Sequence, residues 1–112
     1  KVITISTPGK NTVEISDDDK HIKLTDQNKN EIVMNSSGIS LSSAKDITLK
    51  AKGAITIEAT SKINATAKQD VSLEGLNVKM EAKVSATVKG NAKAELLASG
   101  QTTVKGAMVM IN

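Results

Sequence analysis

The feature that most constrains the fold of this chain is a repeat of eight residues laid over an alternation of two. Large aliphatic residues recur at every eighth position, at Ile39, Ile47, Ile55, Ile63 and Val71. A core-type residue follows each of them by two positions and a small residue by four, giving Leu41 and Ser43, Leu49 and Ala51, Ile57 and Ala59, Ala65 and Ala67, and Leu73 and Gly75. The residues in between are polar. Because successive side chains of a strand point to opposite faces, this pattern predicts short β-strands and no helix.

The apolar alternation changes phase at Gly75 and Leu76, after which the apolar residues occupy even positions. The eight-residue repeat continues, with large residues at Met80, Val88, Leu96 and Val104 and small ones at Ala82, Gly90, Ala98 and Gly106. A slip of one residue would turn every later side chain to the wrong face unless a bulge or turn absorbs it. We expect Gly75 to be the residue that absorbs it.

The interior of this array must be narrow, because the chain contains no aromatic residue and its inward positions hold mainly aliphatic, Met, Ala and Gly residues. A chain of 112 residues with small core residues and no cysteine buries little apolar surface and has no disulfide to compensate. We therefore expect partner chains to complete the core.

The charge pattern argues against a nucleic-acid partner. The net charge is +3, all of the positive charge comes from lysine, and the lysines are interleaved with acidic residues. Recognition of phosphates and bases relies on arginine forks and aromatic stacking, and this chain contains neither arginine nor an aromatic side chain. A solvated strand surface is the preferred interpretation of the lysines.

Residues 1–38 form the first of two predicted regions, an irregular β region that leads into the repeats. Short alternating runs are separated by turns rich in Pro, Gly, Asp and Asn, at residues 7–11, 17–20 and 26–30. The second region, residues 39–112, is predicted to be an eight-residue-repeat needle that ends in a blunt apolar tip.

No residue is predicted to be catalytic, cofactor-binding or metal-binding, and the chain is not expected to be an enzyme. The acidic run Asp17–Asp19 lacks the alternating Asp and Asn, the Gly and the closing Glu of a calcium loop. His21 is the only histidine and there is no cysteine, so a zinc site lacks ligands. The chain has no Gly-x-Ser-x-Gly nucleophile motif and no cysteine nucleophile, and it offers no histidine beyond His21 as a base.

Two architectures satisfy the repeat. Each eight-residue unit turns the chain by one face of a prism, so three units complete a circuit of about 24 residues. One chain could stack such circuits as a solenoid, or three chains could interleave, each contributing a strand to each face in turn. The small inward residues favour the second, so we predict an all-β, intertwined homotrimeric β-helix prism without helices.

Several stretches resemble a known family. The repeats Ile39–Asp46, Ile47–Ala54, Ile55–Lys62 and Ile63–Asp70 look like the C-terminal β-helical spikes of contractile injection machines. Those are the VgrG proteins of type VI secretion, phage tail needles and the spikes of related extracellular particles. Asn30–Ile39 resembles the strand that precedes the repeats in that family, and Lys105–Asn112 resembles its apolar end.

The resemblance implies a homotrimeric central spike that punctures a target envelope and carries effectors or a conical PAAR-type protein on its C-terminal end. It assigns the docking of that tip protein to Met108, Met110, Ile111 and Asn112. The methionines could instead simply close the last core layer. The resemblance also implies an N-terminal hub, absent from this sequence, that joins an injection tube, and a transient contact with the target membrane.

A trimeric phage fibre or adhesin stalk that binds a cell-surface ligand is the alternative function. A glycan-degrading β-helix would need clustered carboxylates together with arginine, and arginine is absent. No secretory leader is visible, and a start at Lys1 without methionine suggests a fragment. We therefore expect assembly in the cytoplasm and delivery outside the cell as part of an injection particle.

Overall fold

The computed structural model describes every residue of the chain, Lys1–Asn112, and contains strands but no helix. The strands are β1 (Val2–Ser6), β2 (Thr12–Ser16), β3 (His21–Thr25), β4 (Glu31–Asn35) and β5 (Gly38–Ser42). They form one antiparallel sheet in the order β1-β2-β3-β4-β5, so each strand pairs with its neighbour in sequence. The chain divides into two compact units, Lys1–Ile63 and Asn64–Asn112, and the sheet belongs to the first. The all-β, helix-free prediction is confirmed.

Two of the hairpin loops share one hydrogen-bonding pattern. In the β1–β2 loop the Lys10 N–H donates to the Thr7 carbonyl (2.9 Å) and the Thr7 N–H donates to the Asn11 carbonyl (3.0 Å). Asp26, Lys29 and Asn30 repeat this arrangement in the β3–β4 loop. Lys10 and Lys29 have φ values of 68° and 70°, so each occupies the left-handed position that ends a three-residue hairpin loop. Glycine usually takes that position, but here a lysine does.

The other two loops also end on a residue with positive φ. Lys20, with a φ of 54°, closes the β2–β3 loop, and Gly38, with a φ of 124°, follows the two-residue β4–β5 loop. A φ of 124° is far more accessible to glycine than to other residues, so Gly38 makes this tight connection possible. The Asn35 side chain supports it by accepting a hydrogen bond from the Ser37 N–H at 2.9 Å.

The register places ten of the twelve large apolar residues of the five strands on one face. Ile3 lies opposite Ile15, Ile15 opposite Ile22, and the same face continues through the later strands. Its ten members, called the apolar face below, are Ile3, Ile5, Val13, Ile15, Ile22, Leu24, Ile32, Met34, Ile39 and Leu41. The opposite face carries mostly Ser, Thr and charged residues, which is the alternation expected of a sheet with one covered side.

In the single chain the polar face of this sheet is more buried than the apolar face. No hydrophobic residue is buried, and the only buried residue is Ser16 on the polar face. Val33 of the polar face is partly buried, whereas its neighbour Ile32 of the apolar face is 39% exposed. The protein therefore lacks a hydrophobic core of its own.

The accessible surface leads to the same conclusion. The chain exposes 11,731 Å². A folded monomer of this mass, 11.7 kDa, would expose about 5,900 Å² by the usual surface scaling. Because the observed area is about twice that value, the fold of one chain leaves unburied the apolar surface that normally stabilises a domain.

Residues 43–112, called the shaft segment below, form no strand pairing within the chain. Bends recur along it at residues 44–45, 52–53, 60–61, 68–69, 76–77, 83–84, 91–92, 99–100 and 107–108. A single-chain solenoid would pair stretches about 24 residues apart. The structure contains no such ladder, so this alternative is wrong.

Side chains alternate along the shaft segment as they do along a strand. Lys93 Nζ lies 2.9 Å from Glu95 Oε1, and Lys79 pairs with Glu81 in the same way. Such contacts between residues two apart require both side chains to lie on one side of an extended backbone. The odd, polar residues of this part of the chain therefore share a side, and the even, apolar residues take the other.

Candidate functional site

A concave surface of the first unit lies on the apolar face. A groove of about 640 Å³ is lined by one row of that face together with the residue that begins the next repeat, giving Ile5, Val13, Leu24, Ile32, Leu41 and Ile47. Polar residues of the hairpin loops, such as Thr7 and Asn30, form its rim. A cluster of aliphatic side chains with a polar rim is the composition of a protein–protein interface.

The polar face carries charges that compensate one another. His21 Nε2 lies 2.5 Å from Glu14 Oε2, and Lys23 Nζ lies 3.5 Å from Glu31 Oε2. Glu14 also lies directly opposite Lys23 in the register of β2 and β3. These pairs cross three strands and leave the polar face suited to water, so the apolar face is the side that needs a partner.

The chain leaves the sheet at a corner, residues 43–46, that hydrogen bonds hold in place. The Ala44 N–H donates to Asn30 Oδ1 (3.0 Å), and the Ser43 hydroxyl lies 3.0 Å from the same oxygen. The Lys45 N–H donates to Ser43 Oγ at 3.1 Å. The β3–β4 loop therefore fixes the direction in which the shaft segment departs. Sequence patterns do not predict this link, because residues 13 or 14 apart in a loop and a corner leave no periodic signal.

Asp26 anchors the loop from which Asn30 reaches the corner. Its carboxylate accepts hydrogen bonds from the backbone N–H groups of Asn30 and Asn28, each at 2.9 Å, and from the Asn30 side-chain amide at 2.9 Å. The hydrogen bond from the Asn30 N–H is the main reason that the pKa of Asp26 lies below its ordinary value of 3.8.

This depressed pKa makes the stabilising effect of Asp26 dependent on pH. A carboxyl whose folded-state pKa is lowered contributes stability that is fully present above its unfolded pKa and is lost as the pH falls through its folded pKa. We expect Asp26→Asn to lower the unfolding midpoint at pH 7, and the difference from wild type to shrink below about pH 4. Denaturant unfolding from pH 7 to pH 2 measures this, with Asp19→Asn as a control for removing one loop charge. A constant difference across this range would contradict the assignment.

The predicted core residues of the shaft segment are all exposed in the single chain, and they keep a regular relation to the bends. Ile39 lies within β5. Each large residue of the first repeats follows a bend by two positions, namely Ile47, Ile55, Ile63 and Val71. Those of the last repeats follow a bend by four positions, namely Val88, Leu96 and Val104, while Met80 follows by three. The structure does not bring them together within one chain.

The predicted docking residues at the C-terminal end are fully accessible. Met110 is 85% exposed and Ile111 is 91% exposed, and Met108 and Asn112 are exposed as well. Val109, which is not among the predicted docking residues, is also exposed, so residues 107–111 are apolar on both sides of the backbone. Apolar alternation alone misses Val109, because the residue lies on the outward side.

The described chain contains no cluster of His, Cys, Asp and Glu residues arranged to hold a metal ion. No helix long and apolar enough to cross a membrane is present either. The residues that the structure does organise are those of the apolar face, the corner and the bends.

Together, the one-sided sheet without a core and the repeated shaft segment define a β-structured self-association module. The family model of the phage baseplate V C-terminal trimerisation domain matches residues 2–112. The chain belongs to this family, whose members are structural domains of the phage baseplate, and this membership supports a homotrimer. None of the curated proteins gives a significant match.

Proposed function

We propose that this chain is the central spike of a contractile injection machine, of the type VI secretion or phage-tail kind, and that three copies interleave as a β-helix prism. The observation that carries the proposal is the exposed apolar face. The chain that bears this face matches a trimerisation domain over residues 2–112. Three such faces packed about one axis would bury the missing core.

The free edge of β5 supports the interleaving. Its sequence, Gly38–Ser42, carries no charge or proline to protect the edge from pairing. The next stretch, residues 47–51, repeats the alternation of β5 with Ile47 and Leu49 in place of Ile39 and Leu41. This stretch does not pair with β5 of its own chain, so in the proposed trimer residues 47–51 of a second copy pair with β5.

The charges of the shaft segment support the same arrangement. In an interleaved prism, residues eight apart lie side by side on neighbouring strands of different chains. The only charged residues eight apart in the shaft segment are of opposite sign, and they form three pairs: Lys50 with Glu58, Lys62 with Asp70, and Glu81 with Lys89. Opposite charges in directly adjacent positions stabilise a sheet, whereas like charges destabilise it.

In this function the closed sheets supply stiffness. Interleaving leaves no free edge along the prism, so load on the spike must break many hydrogen bonds together before one strand separates. The exposed run Met108–Ile111 then forms an apolar end surface of three chains, which carries a PAAR-type tip protein and, through it, effectors.

The proposal is tested by the mass of the purified chain in solution and by its binding to a purified PAAR-type protein. We expect the mass of three chains by sedimentation equilibrium, and calorimetric binding that Met110→Asp abolishes. Thr103→Asp is the matched control, since Thr103 lies on the outward side of the shaft segment. A monomer would refute the prism. A trimer without binding would retain the prism and refute the tip function.

A further inference from the structure

The spacing of the bends in the shaft segment contains one exception. The first residues of successive bends are eight positions apart, except at the bends 76–77 and 83–84, which begin seven positions apart. The exception coincides with the change of apolar phase near Gly75. The slip is therefore absorbed by one shortened repeat, called the short repeat below (residues 77–83), and every later bend keeps the spacing of eight.

The order of inward side chains differs on the two sides of the short repeat. Before it, the two inward positions that follow each bend hold two core-type residues, as in Ile55 and Ile57. After the bends at 83–84, 91–92 and 99–100, the first of these positions holds a small or polar residue and the second a large one, as in Ala94 and Leu96. The shaft segment is thus two periodic blocks joined by one irregular repeat.

A perfectly periodic shaft would pose a register problem for three chains. If every repeat were equivalent, one chain could shift by eight residues along the other two and still present apolar residues to the core and polar residues to water. Periodic assemblies of this kind need a feature that breaks the degeneracy, such as a single irregular residue or an interrupted repeat.

We propose that the short repeat determines the register of the three chains, so that it is the specificity element of the interface between copies. This inference rests on the trimer proposed above. When all three chains are in register, their short repeats share one layer. If one chain is shifted by one repeat, its short repeat lies beside eight-residue repeats of the other two chains, and their short repeats lie beside one of its eight-residue repeats. In both layers the strands no longer pair in register and the inward residues no longer match.

The test removes the irregularity from the full chain. Insertion of one Ala between Asn77 and Val78 restores the spacing of eight between all bends, and the inward residues on both sides of the insertion stay inward. In a trimer that is in register the three chains are equivalent, so each backbone amide gives one cross-peak in a ¹H–¹⁵N spectrum. A shifted chain makes them inequivalent. We expect one peak for the Gly106 amide in wild type and up to three in the insertion variant.

Two further variants complete the experiment. Insertion of one Ala between Asn28 and Lys29 lengthens a hairpin loop and is expected to keep single peaks. Deletion of Asn91 in the Asn77–Val78 insertion variant moves the short repeat to another layer and is expected to restore single peaks. Single peaks in the Asn77–Val78 insertion variant, or its failure to form a trimer, would overturn the inference. A monomeric wild type would instead refute the proposed spike.

Discussion

Replacing Ile32 by Asp is expected to abolish trimer formation, whereas the same replacement of Val33, its neighbour in β4, is expected to leave the trimer intact. Ile32 belongs to the apolar face, where it lies between Leu24 and Leu41 in the register of the sheet. Val33 lies on the polar face between Lys23 and Ser40. A carboxylate at position 32 would be buried without a partner in each of the three chains.

The magnitude of this effect is large because it is repeated three times. Loss of a buried Ile side chain and burial of an unpaired charge cost about 4 kcal/mol per chain, hence about 12 kcal/mol per trimer. That difference lowers the association constant by on the order of 10⁹-fold. Sedimentation equilibrium of both variants against wild type measures it.

The pair Ile32 and Val33 also separates two interpretations of the structure. In the single chain Val33 is the more buried of the two. If the chain functioned as a monomer, Val33→Asp would therefore be the more damaging change. A trimeric Ile32→Asp variant, or greater damage from Val33→Asp, would contradict the assignment of the apolar face as the interface.

Replacing Gly90 by Ala is expected to destabilise the shaft segment strongly. A Cβ atom added at Gly90 would collide with the backbone carbonyl of Lys93, whose carbon lies 2.8 Å from the new atom. Real Cβ atoms do not approach backbone atoms this closely, so the bend at residues 91–92 would have to open. Overpacking of this kind costs about 3 kcal/mol per chain or more.

Gly53 provides the matched control for this change. It also lies at a bend, at residues 52–53, and a Cβ atom added there meets no atom within 4 Å. Denaturant midpoints of Gly90→Ala and Gly53→Ala, compared at one protein concentration, should therefore differ widely, with Gly53→Ala close to wild type. Similar midpoints for the two variants would show that the tight bend at Gly90 is not required for assembly.

The strands and the polarity of their faces could be predicted from the sequence, because alternation is a direct consequence of strand geometry. The alternation with polar residues places Val13 with Ile15, and Ile22 with Leu24, on one side of their strands without any knowledge of their neighbours. The slip near Gly75 was predicted in the same way, from parity alone. Its absorption by one repeat shortened to seven residues was not predicted.

The parts that could not be predicted depend on contacts without periodicity. The Asn30 side-chain amide connects Asp26 to the corner at Ser43. Asn is common in polar loops of any fold, so its presence in the sequence does not indicate this connection. The left-handed lysines were missed because sequence reasoning assigns positive φ to Gly or Asn first. The regularity of the first region was also underestimated, since β1–β5 form an ordered meander that runs through Ser42.

The antiparallel order of β1–β5 has a consequence for the order of events during folding. Every strand pairs with its neighbour in sequence, so the sheet requires only the closure of short loops within one chain, which is rapid at any dilution. The shaft segment has no partner within its own chain and must wait for two other copies in the proposed trimer. Dilution would then slow the growth of the shaft but not the formation of the sheet, so at low concentration each chain would carry a formed sheet before its shaft segment is paired.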